Sequence, residues 1–348
     1  MKDFIKKISI SKNESMLSAM KLMDEINRKL LIATNDDNSF FSLVSIGDIQ
    51  RSIIKNITLE TPIYSIVRQD ISIAHKSDDI EKLKLRMKTR RNEFMPIVDD
   101  LNTIVDVIFW EDLFEGKRDL KQLDLPVVIM AGGKGSRLKP LTNIIPKPLI
   151  PVNDKTIIED IMDRFIEFGC NSFYISVNYK ADMIRFYFET LNNPAYNINY
   201  MFEDKPLGTA GSLSLLKGKI DKTFFVSNCD ILIDQDYAEI LKYHQENENE
   251  ITIVAALKHY PIPYGTIKTD VNGRLLELIE KPELTFKINS GMYILEPHVL
   301  EQIPENVFFH ITDLIEKVMV KNGKVGVFPV SEKSWKDMGS LSEYKFRS

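Results

Sequence analysis

The first third of the chain repeats one pattern of apolar and polar residues. An apolar run leads into an acidic turn at residues 32–37 and again at residues 95–100. A second apolar run follows each turn, at residues 40–44 and 103–108, and leads into a short helix. An amphipathic helix precedes each pair of strands, with apolar positions at helical spacing: Met16, Leu17, Met20 and Met23 in the first copy, Ile80, Leu83 and Met87 in the second. Residues 1–120 are therefore predicted to contain two copies of one small unit.

The rest of the chain shows longer elements. A charged stretch at residues 115–119 predicts a linker, and beyond it strands alternate with helices. Residues 157–166 form one apolar helical face, and Gly169 is expected to end that helix. A hairpin turn at residues 271–274 joins two later strands, which makes the predicted sheet mixed. Further strands are predicted at residues 127–130, 173–177, 198–202, 224–227 and 251–257. Residues 124–348 are thus interpreted as an α/β domain.

The composition is typical of a globular protein and excludes several classes. A chain of 348 residues is long enough for two domains with separate cores. Its formal net charge of -5 argues against a surface that binds nucleic acid. The N-terminus lacks the apolar run of a signal peptide, and no apolar segment is long enough to span a bilayer. Cys170 and Cys229 lack metal-ligand spacing and are expected to be buried thiols. We expect a cytoplasmic protein without a membrane partner.

Glycines follow the first predicted strand of the second domain, between Ala131 and Leu138. Because glycine has no Cβ, its backbone N–H group can approach a phosphate closely. A P-loop would require Ser or Thr directly after Lys134, where Gly135 stands. The dinucleotide-binding fingerprint would require glycine or alanine at Leu138. The segment therefore indicates a phosphate-binding loop that is neither a P-loop nor a dinucleotide-binding fingerprint.

Further segments in order identify the family that this domain resembles. The glycine-rich segment continues through residues 139–142 to a Pro-Lys-Pro sequence at residues 146–148. The later segments are Pro206-Leu207-Gly208-Thr209-Ala210-Gly211, Asn228-Cys229-Asp230, Glu280-Lys281-Pro282, Asn289-Ser290-Gly291-Met292-Tyr293 and Trp335-Lys336-Asp337-Met338-Gly339. Over residues 125–339 the chain resembles the sugar-phosphate nucleotidyltransferases. The resemblance implies a Rossmann-like mixed sheet and the joining of a nucleoside triphosphate to a sugar-1-phosphate, with release of pyrophosphate.

The implied reaction explains the charged residues of these segments. A sugar-phosphate oxygen would attack the α-phosphorus of the triphosphate, and this phosphate is already largely ionised because its second pKa is about 6. The reaction therefore needs positioning and charge neutralisation more than a strong base. By the family pattern, Asp230 and Asp337 hold Mg²⁺ and Arg137 contacts the departing phosphates. Lys147 supplies a positive charge to the sugar phosphate.

The resemblance also assigns residues to the two substrates. The expected nucleotide-binding residues are Ala131, Gly132, Gly133, Gly135, Ser136, Glu203, Gly208 and Thr209. The expected sugar-phosphate-binding residues are Gly265, Glu280, Lys281 and Asn289.

Base choice is expected to depend on Glu203. Thymidylyl- and uridylyltransferases of the family carry Gln at the corresponding place, and Gln suits the mixed donor and acceptor edge of a pyrimidine dione. Guanine presents two adjacent donors, N1–H and the 2-amino group, which suit a carboxylate. Glu203 therefore favours GTP.

The repeat in residues 1–120 resembles a pair of CBS modules. In that family a Ser or Thr and an Asp on the last strand-to-helix turn bind an adenine nucleotide, and Ser45 and Asp48 match the pattern. In the second copy Phe109 replaces the hydroxyl residue, although Asp112 is retained. The alternative is that Ser45 only caps the helix and Asp48 is an acidic residue of its first turn.

The two domains together resemble the guanylyltransferases that make GDP-glucosamine for legionaminic acid biosynthesis. GTP and glucosamine-1-phosphate are therefore the expected substrates, with a regulatory nucleotide at the CBS pair and a homo-oligomer as further expectations. The alternatives are guanylyl transfer to mannose-1-phosphate and uridylyl or thymidylyl transfer to another hexose-1-phosphate. A non-catalytic nucleotide sensor is the alternative of another class, and the presence of both candidate metal carboxylates argues against it.

Overall fold

The computed structural model describes residues 2–68, 71–75, 77–90, 93–113 and 120–339. The chain divides into two compact units, Met1–Asp119 and Leu120–Ser348. The linker predicted at residues 115–119 and the side chain of Asp112 lie outside the described residues. None of the helices described is both long enough and apolar enough to cross a membrane.

The first unit contains two three-stranded sheets. Its strands are β1 (Ser9–Ser11), β2 (Leu30–Thr34), β3 (Phe40–Ser45), β4 (Ala74–His75), β5 (Phe94–Val98) and β6 (Ile104–Phe109). Its helices are α1 (Lys2–Lys7), α2 (Met16–Ile26), α3 (Ile46–Ile54), α4 (Ile80–Arg90) and α5 (Trp110–Leu113). Each sheet has a parallel pair followed by an antiparallel hairpin, in the orders β1-β2-β3 and β4-β5-β6.

The two sheets are copies of one arrangement. The elements β5, β6, α4 and α5 each begin 64 positions after β2, β3, α2 and α3, respectively. The copies share one core, in which Ile32 and Phe40 of the first pack with Phe94 and Val107 of the second. The internal repeat predicted from the sequence is therefore present, whereas its assignment as a pair of CBS modules stays a prediction.

Ser45 and Asp48 form a capping box at the start of α3. The Ser45 hydroxyl accepts a hydrogen bond from the Asp48 N–H, and the Ser45 N–H donates to Asp48 Oδ2 at 2.9 Å. The other carboxylate oxygen of Asp48 pairs with Arg51 and with Arg68 Nε at 2.8 Å. Because Asp48 is only 2% exposed and its oxygens are engaged, this arrangement favours the capping alternative over a ribose ligand. Nucleotide binding at this turn stays a prediction.

The second unit is built on one large sheet and several short pairs of strands. Its strands are β7 (Val127–Met130), β8 (Pro151–Val152), β9 (Lys155–Thr156), β10 (Ser172–Val177), β11 (Asn197–Phe202), β12 (Phe224–Asn228), β13 (Ile231–Ile233), β14 (Ile251–Pro261), β15 (Thr266–Thr269), β16 (Leu275–Ile279), β17 (Glu283–Leu295), β18 (Val325–Val330) and β19 (Trp335–Asp337). Its helices are α6 (Ile157–Ile166), α7 (Ala181–Leu191), α8 (Gly208–Gly211), α9 (Tyr237–Glu246) and α10 (Ile311–Val320). The predicted strands and the hairpin at residues 271–274 all occur, and the helix before Gly169 ends as expected.

The large sheet is mixed, as predicted. Its order is β11-β10-β7-β12-β17-β14-β18; the first four strands are parallel, and β17 is antiparallel to both of its neighbours. The strands β7, β10 and β12 are mostly apolar and mostly buried, as expected for strands covered on both faces. Because they run in one direction, the loops that follow them lie at the same edge of the sheet, where α/β folds bind ligands.

A buried polar network fixes α9 to the far end of the sheet. The imidazole of His244 contacts Thr252 Oγ1 through Nδ1 at 2.8 Å and Glu296 Oε1 through Nε2 at 3.1 Å. Thr223 donates a hydrogen bond to the same Glu296 oxygen at 2.6 Å. Burial lowers the pKa of His244, because desolvation disfavours the imidazolium more than Glu296 stabilises it.

The lowered pKa of His244 predicts a loss of stability in mild acid. The unfolded chain takes up a proton near pH 6.5, whereas the folded imidazole stays neutral until a lower pH. Above about pH 6.5 the neutral imidazole therefore makes its full contribution to the free energy of unfolding. This contribution falls as the pH drops from about 6.5 through the pKa of the folded state. We expect His244→Gln to cost about 1–3 kcal/mol at neutral pH by leaving a buried group unpaired. Calorimetric melting from about pH 8 to about pH 5 should show a shallower decline for the variant; parallel curves would contradict the assignment.

Candidate active site

A cavity opens at the sheet edge where the central parallel strands end. Its volume is about 400 Å³, which is within the range of small-molecule sites. The predicted site residues that line it are Gly132, Gly133, Gly135, Ser136, Arg137, Lys147, Glu203, Gly208, Thr209 and Asp230. Segments far apart in the sequence thus meet at one place.

The glycine-rich loop after β7 packs closely on the segments that follow it. Gly135 has φ +61°, and a Cβ there would lie 2.8 Å from Thr142 Cγ2 and 3.0 Å from Lys147 Cβ. Thr142 donates a hydrogen bond to the Gly135 carbonyl at 3.0 Å. Gly133 has no heavy atom within 4 Å of its ideal Cβ position, so its backbone faces open space. The loop therefore has a fixed base and an accessible tip, as expected for a segment whose N–H groups receive an anion.

Asp230 is the charged centre of the cavity. It follows β12, and its side chain is 8% exposed. Lys147 Nζ pairs directly with Asp230 Oδ2, and Arg137 Nη2 lies 3.9 Å from the same oxygen. A carboxylate buried to this extent is costly without a positive partner, and Lys147 supplies one. Arg137 is 67% exposed and extends toward the mouth of the cavity.

Asp337 is brought beside Asp230 by a short antiparallel pair. Residue Ile231 of β13 pairs with Asp337 of β19, and Met338 donates its N–H to the Asp230 carbonyl at 2.9 Å. A Cβ added at Gly339 would lie 2.6 Å from Asp230 Oδ2 and 2.7 Å from Asp337 Oδ1. The two carboxylates therefore face a common point, a donor set that suits Mg²⁺ because this ion uses one or two carboxylates plus water and phosphate. In the part of the chain that the structure describes, no three His, Cys, Asp or Glu side chains form a metal site.

Glu203 lies beneath the glycine-rich loop. It accepts a hydrogen bond from Ser176 Oγ through Oε1 and one from the Leu207 N–H through Oε2, at 2.9 Å for the latter. A Cβ at Gly132 would lie 2.7 Å from Oε1, so a larger residue there would have to displace this carboxylate. Each oxygen of a carboxylate has two acceptor sites, and Glu203 therefore keeps one on each oxygen for another donor.

Gly208 and Thr209 are attached to the loop that precedes α10. Gly208 has φ +78°, and a Cβ there would lie 2.7 Å from the Phe309 carbonyl oxygen. Thr209 Oγ1 accepts a hydrogen bond from the Ile311 N–H at 3.0 Å. Thr209 also lines the cavity, and its role in nucleotide binding stays a prediction.

Phe308 and His310 also line the cavity, and the sequence analysis did not identify them. None of the five histidines falls in a segment of the family pattern, so the sequence predicts surface or packing positions for them. Their position at the site follows from the attachment of residues 307–311 to the Gly208 segment, which neither periodicity nor composition reveals.

The remaining predicted residues do not line this cavity. Ala131 is 1% exposed, and its N–H donates to the Ser176 carbonyl within the sheet. Gly265 and Glu280 lie together beside the β15–β16 hairpin, since a Cβ at Gly265 would lie 3.0 Å from Glu280 Oε2. Lys281, with φ +46°, and Asn289 are exposed. The sugar-phosphate assignment of these four residues stays a prediction.

Cys229 contacts the cavity but is unsuited to nucleophilic chemistry. Burial and the neighbouring Asp230 charge raise the pKa of its thiol to about 12. The thiol therefore stays protonated near neutral pH and acts as a packing residue.

Comparison with known proteins gives a consistent family. The model of the nucleotidyl transferase family matches residues 126–346. A mannose-1-phosphate guanylyltransferase of Mycobacterium tuberculosis is 28% identical over 221 residues, which are 62% of this chain and 62% of that protein. A UTP–glucose-1-phosphate uridylyltransferase of Synechocystis is 31% identical over 238 residues, which are 63% of this chain and 61% of that protein. The chain thus spans about three fifths of the length of these relatives.

A solved structure shares the same architecture. The crystal structure of HddC from Yersinia pseudotuberculosis complexed with GMP-PN is 26% identical, with a TM-score of 0.50. The match covers 64% of this chain and 97% of that chain.

The close approach at Gly208 can be tested against a glycine without neighbours. Gly208 and Gly218 both have positive φ, but a Cβ at Gly218 would have no atom within 4 Å. Gly218→Ala should cost roughly 1 kcal/mol of backbone strain. Gly208→Ala should cost about 2–4 kcal/mol, because the methyl group also displaces the Phe309 carbonyl. Thermal unfolding measures both, and equal losses would show that the Phe309 contact is not tight.

Proposed function

The chain belongs to the nucleotidyl transferase family, and from that premise we propose that it transfers guanylyl from GTP to a hexose-1-phosphate. The observation that supports this most directly is the meeting of the glycine-rich loop, Lys147 and Asp230 around one cavity, with Asp337 beside Asp230. Such a site offers backbone donors for phosphate, cations for its charge and carboxylates for a metal ion. A non-catalytic sensor would have no use for the second carboxylate.

In the proposed reaction, an oxygen of the sugar phosphate attacks the α-phosphorus of GTP. A new P–O bond forms, the bond to the β-phosphate oxygen breaks, and pyrophosphate leaves. The glycine-rich loop would hold the triphosphate through its N–H groups, and Arg137 would neutralise the departing phosphates. Lys147 would neutralise the attacking phosphate, which reduces its repulsion from the triphosphate.

Asp230 and Asp337 would hold Mg²⁺ at the point that their oxygens share. The ion would neutralise charge on the phosphate oxygens as the bond to the leaving group breaks. Lys147 pairs with Asp230 in the structure. In the proposed reaction Lys147 would pair with the substrate phosphate instead, while Asp230 binds the metal ion. Binding of substrate and metal would thus redistribute charges that already balance one another.

The preference for GTP rests on Glu203 and on the relatives. Both carboxylate oxygens of Glu203 keep a free acceptor site at the edge of the cavity, which suits the paired donors of guanine. The Mycobacterium relative is a guanylyltransferase, whereas the Synechocystis relative is a uridylyltransferase. The acceptor is glucosamine-1-phosphate by the resemblance of the two-domain arrangement, or mannose-1-phosphate by the name of the Mycobacterium relative. Pyrophosphate release from GTP with each of these sugars distinguishes them.

The metal proposal predicts a selective loss of activity. Asp230→Asn and Asp337→Asn should each lower kcat/KM by about a hundred-fold or more, because each removes a charged ligand of the ion. Folding should be retained in Asp337→Asn, whose carboxylate accepts the Gly339 N–H, a bond that an amide oxygen preserves. EDTA should abolish wild-type activity, and added Mg²⁺ should restore it. Near-normal turnover by either folded variant would remove that carboxylate from the mechanism.

The base proposal predicts a change in triphosphate preference. Glu203→Gln keeps an acceptor for the Leu207 N–H, and its amide N–H can donate to Ser176 Oγ, which itself donates to Glu203 in the wild type. The fold should therefore be preserved. The new amide donor would oppose a guanine donor, at a cost of about 1–3 kcal/mol in kcat/KM for GTP. Uracil and thymine can accept a hydrogen bond there, so UTP and dTTP should lose less or gain.

A competition assay with the four triphosphates measures this preference. Asp204→Asn is the matched control, because it makes the same chemical change one position along on an exposed residue. A wild type that prefers UTP or dTTP, or a preference unchanged by Glu203→Gln, would show that Glu203 does not select the base.

A further inference from the structure

The loop before α10 is an integral part of the cavity wall. The Phe309 N–H donates to the Leu207 carbonyl at 2.8 Å, and the Phe309 carbonyl accepts from the N–H groups of Ala210 and Gly211 at 2.9 and 3.0 Å. A Cβ at Gly211 would lie 2.6 Å from the Val307 carbonyl oxygen. These backbone hydrogen bonds attach the loop to the Gly208 segment, and its position relative to that segment is therefore fixed.

Successive side chains of this loop point to different surroundings. Phe309 packs against the apolar core of the second unit. Phe308 and His310 instead line the cavity, and Phe308 is 56% exposed. Their rings meet edge to face, with centroids 4.8 Å apart and an interplanar angle of 86°. A large apolar ring held at the wall of a polar cavity offers a surface that a flat ligand can cover.

We propose that Phe308 stacks on the nucleobase and that His310 orients the Phe308 ring. The inference rests on the proposed function, since it assigns a contact to the nucleotide of that reaction. Glu203 and Gly208 border the same cavity. In the proposed function they recognise the edge of the base, and its face can then make a further contact. An aromatic ring supplies that partner, and stacking discriminates little between bases of one size. A purine covers more of the ring than a pyrimidine, so the contact favours GTP and ATP over UTP and CTP.

Substitution of Phe308 should weaken triphosphate binding selectively. Phe308→Ala should raise Kd and KM for GTP about five-fold to a hundred-fold, the range typical of a base–aromatic contact. The increase for UTP should be smaller, and kcat and the KM for the sugar phosphate should change little, because the proposal gives Phe308 a contact with the base and none with the reacting phosphates. Phe308→Leu keeps apolar volume without a ring and should show an intermediate effect. His310→Ala should weaken GTP binding less than Phe308→Ala. If His310 acts through Phe308, the variant that carries both substitutions should bind GTP about as weakly as Phe308→Ala alone.

Calorimetric titration with GTP and UTP, together with pyrophosphate release, tests the proposal. Phe186→Ala is the control, because Phe186 is 70% exposed on α7 and does not line the cavity. If folded Phe308→Ala and Phe308→Leu turn over and bind GTP as the wild type does, the stacking proposal is overturned and the proposed reaction is unaffected. A wild type that binds GTP but releases no pyrophosphate with any sugar phosphate would overturn the proposed reaction, and the stacking contact would then be judged by Kd. Equal losses for GTP and UTP would overturn the size preference, and equal additive losses at the two positions would overturn the orienting role of His310.

Discussion

The ion pair between Asp230 and Lys147 is the interaction on which the arrangement of the second unit's site depends. A carboxylate that is 8% exposed needs compensation, and its nearest cation comes from a segment 83 positions earlier in the chain. The pair thus holds the Pro-Lys-Pro segment against the end of β12. Lys147 Cβ in turn lies 3.0 Å from the ideal Cβ position of Gly135, so the glycine-rich loop packs against the lysine of this ion pair.

Close contacts within the site also explain why glycine stands at several of its positions. At Gly132 a Cβ would collide with Glu203, at Gly208 with the Phe309 carbonyl and at Gly339 with both candidate metal carboxylates. In each case the missing Cβ lets one part of the site approach another. Glycine is required here by the packing of the site itself, in addition to any approach of phosphate to the backbone. The glycines of these segments are therefore explained by tertiary contacts as well as by contacts with a ligand.

The sequence predicted those parts of the molecule that depend on local pattern and on recognised segments. The buried strands and the glycine-ended helix follow from periodicity, and the grouping of Asp230 with Arg137 and Lys147 follows from the family resemblance. The surroundings of Glu203 and Asp48 were beyond such reasoning. Ser176 and Arg68, which occupy their carboxylates, come from other elements at distances in sequence that no pattern specifies. Phe308 and His310 were missed for the same reason, because an irregular loop enters the site only through its backbone pairing with the Gly208 segment.

The chemistry of the cavity is dominated by fixed charge. Cys229 stays protonated because burial beside a carboxylate raises its pKa, and the buried His244 belongs to a network at the far end of β14 and β17. What the cavity offers is two cations, Arg137 and Lys147, beside the Asp230 carboxylate, together with the backbone donors of the glycine-rich loop. In a half-buried site these charges interact more strongly than they would in water, because the low-dielectric surroundings screen them less. A group transfer between two phosphates needs this kind of environment, since its barrier comes largely from bringing like charges together. The arrangement of charges therefore suits the proposed group transfer without assigning an acid or a base to any side chain of the cavity.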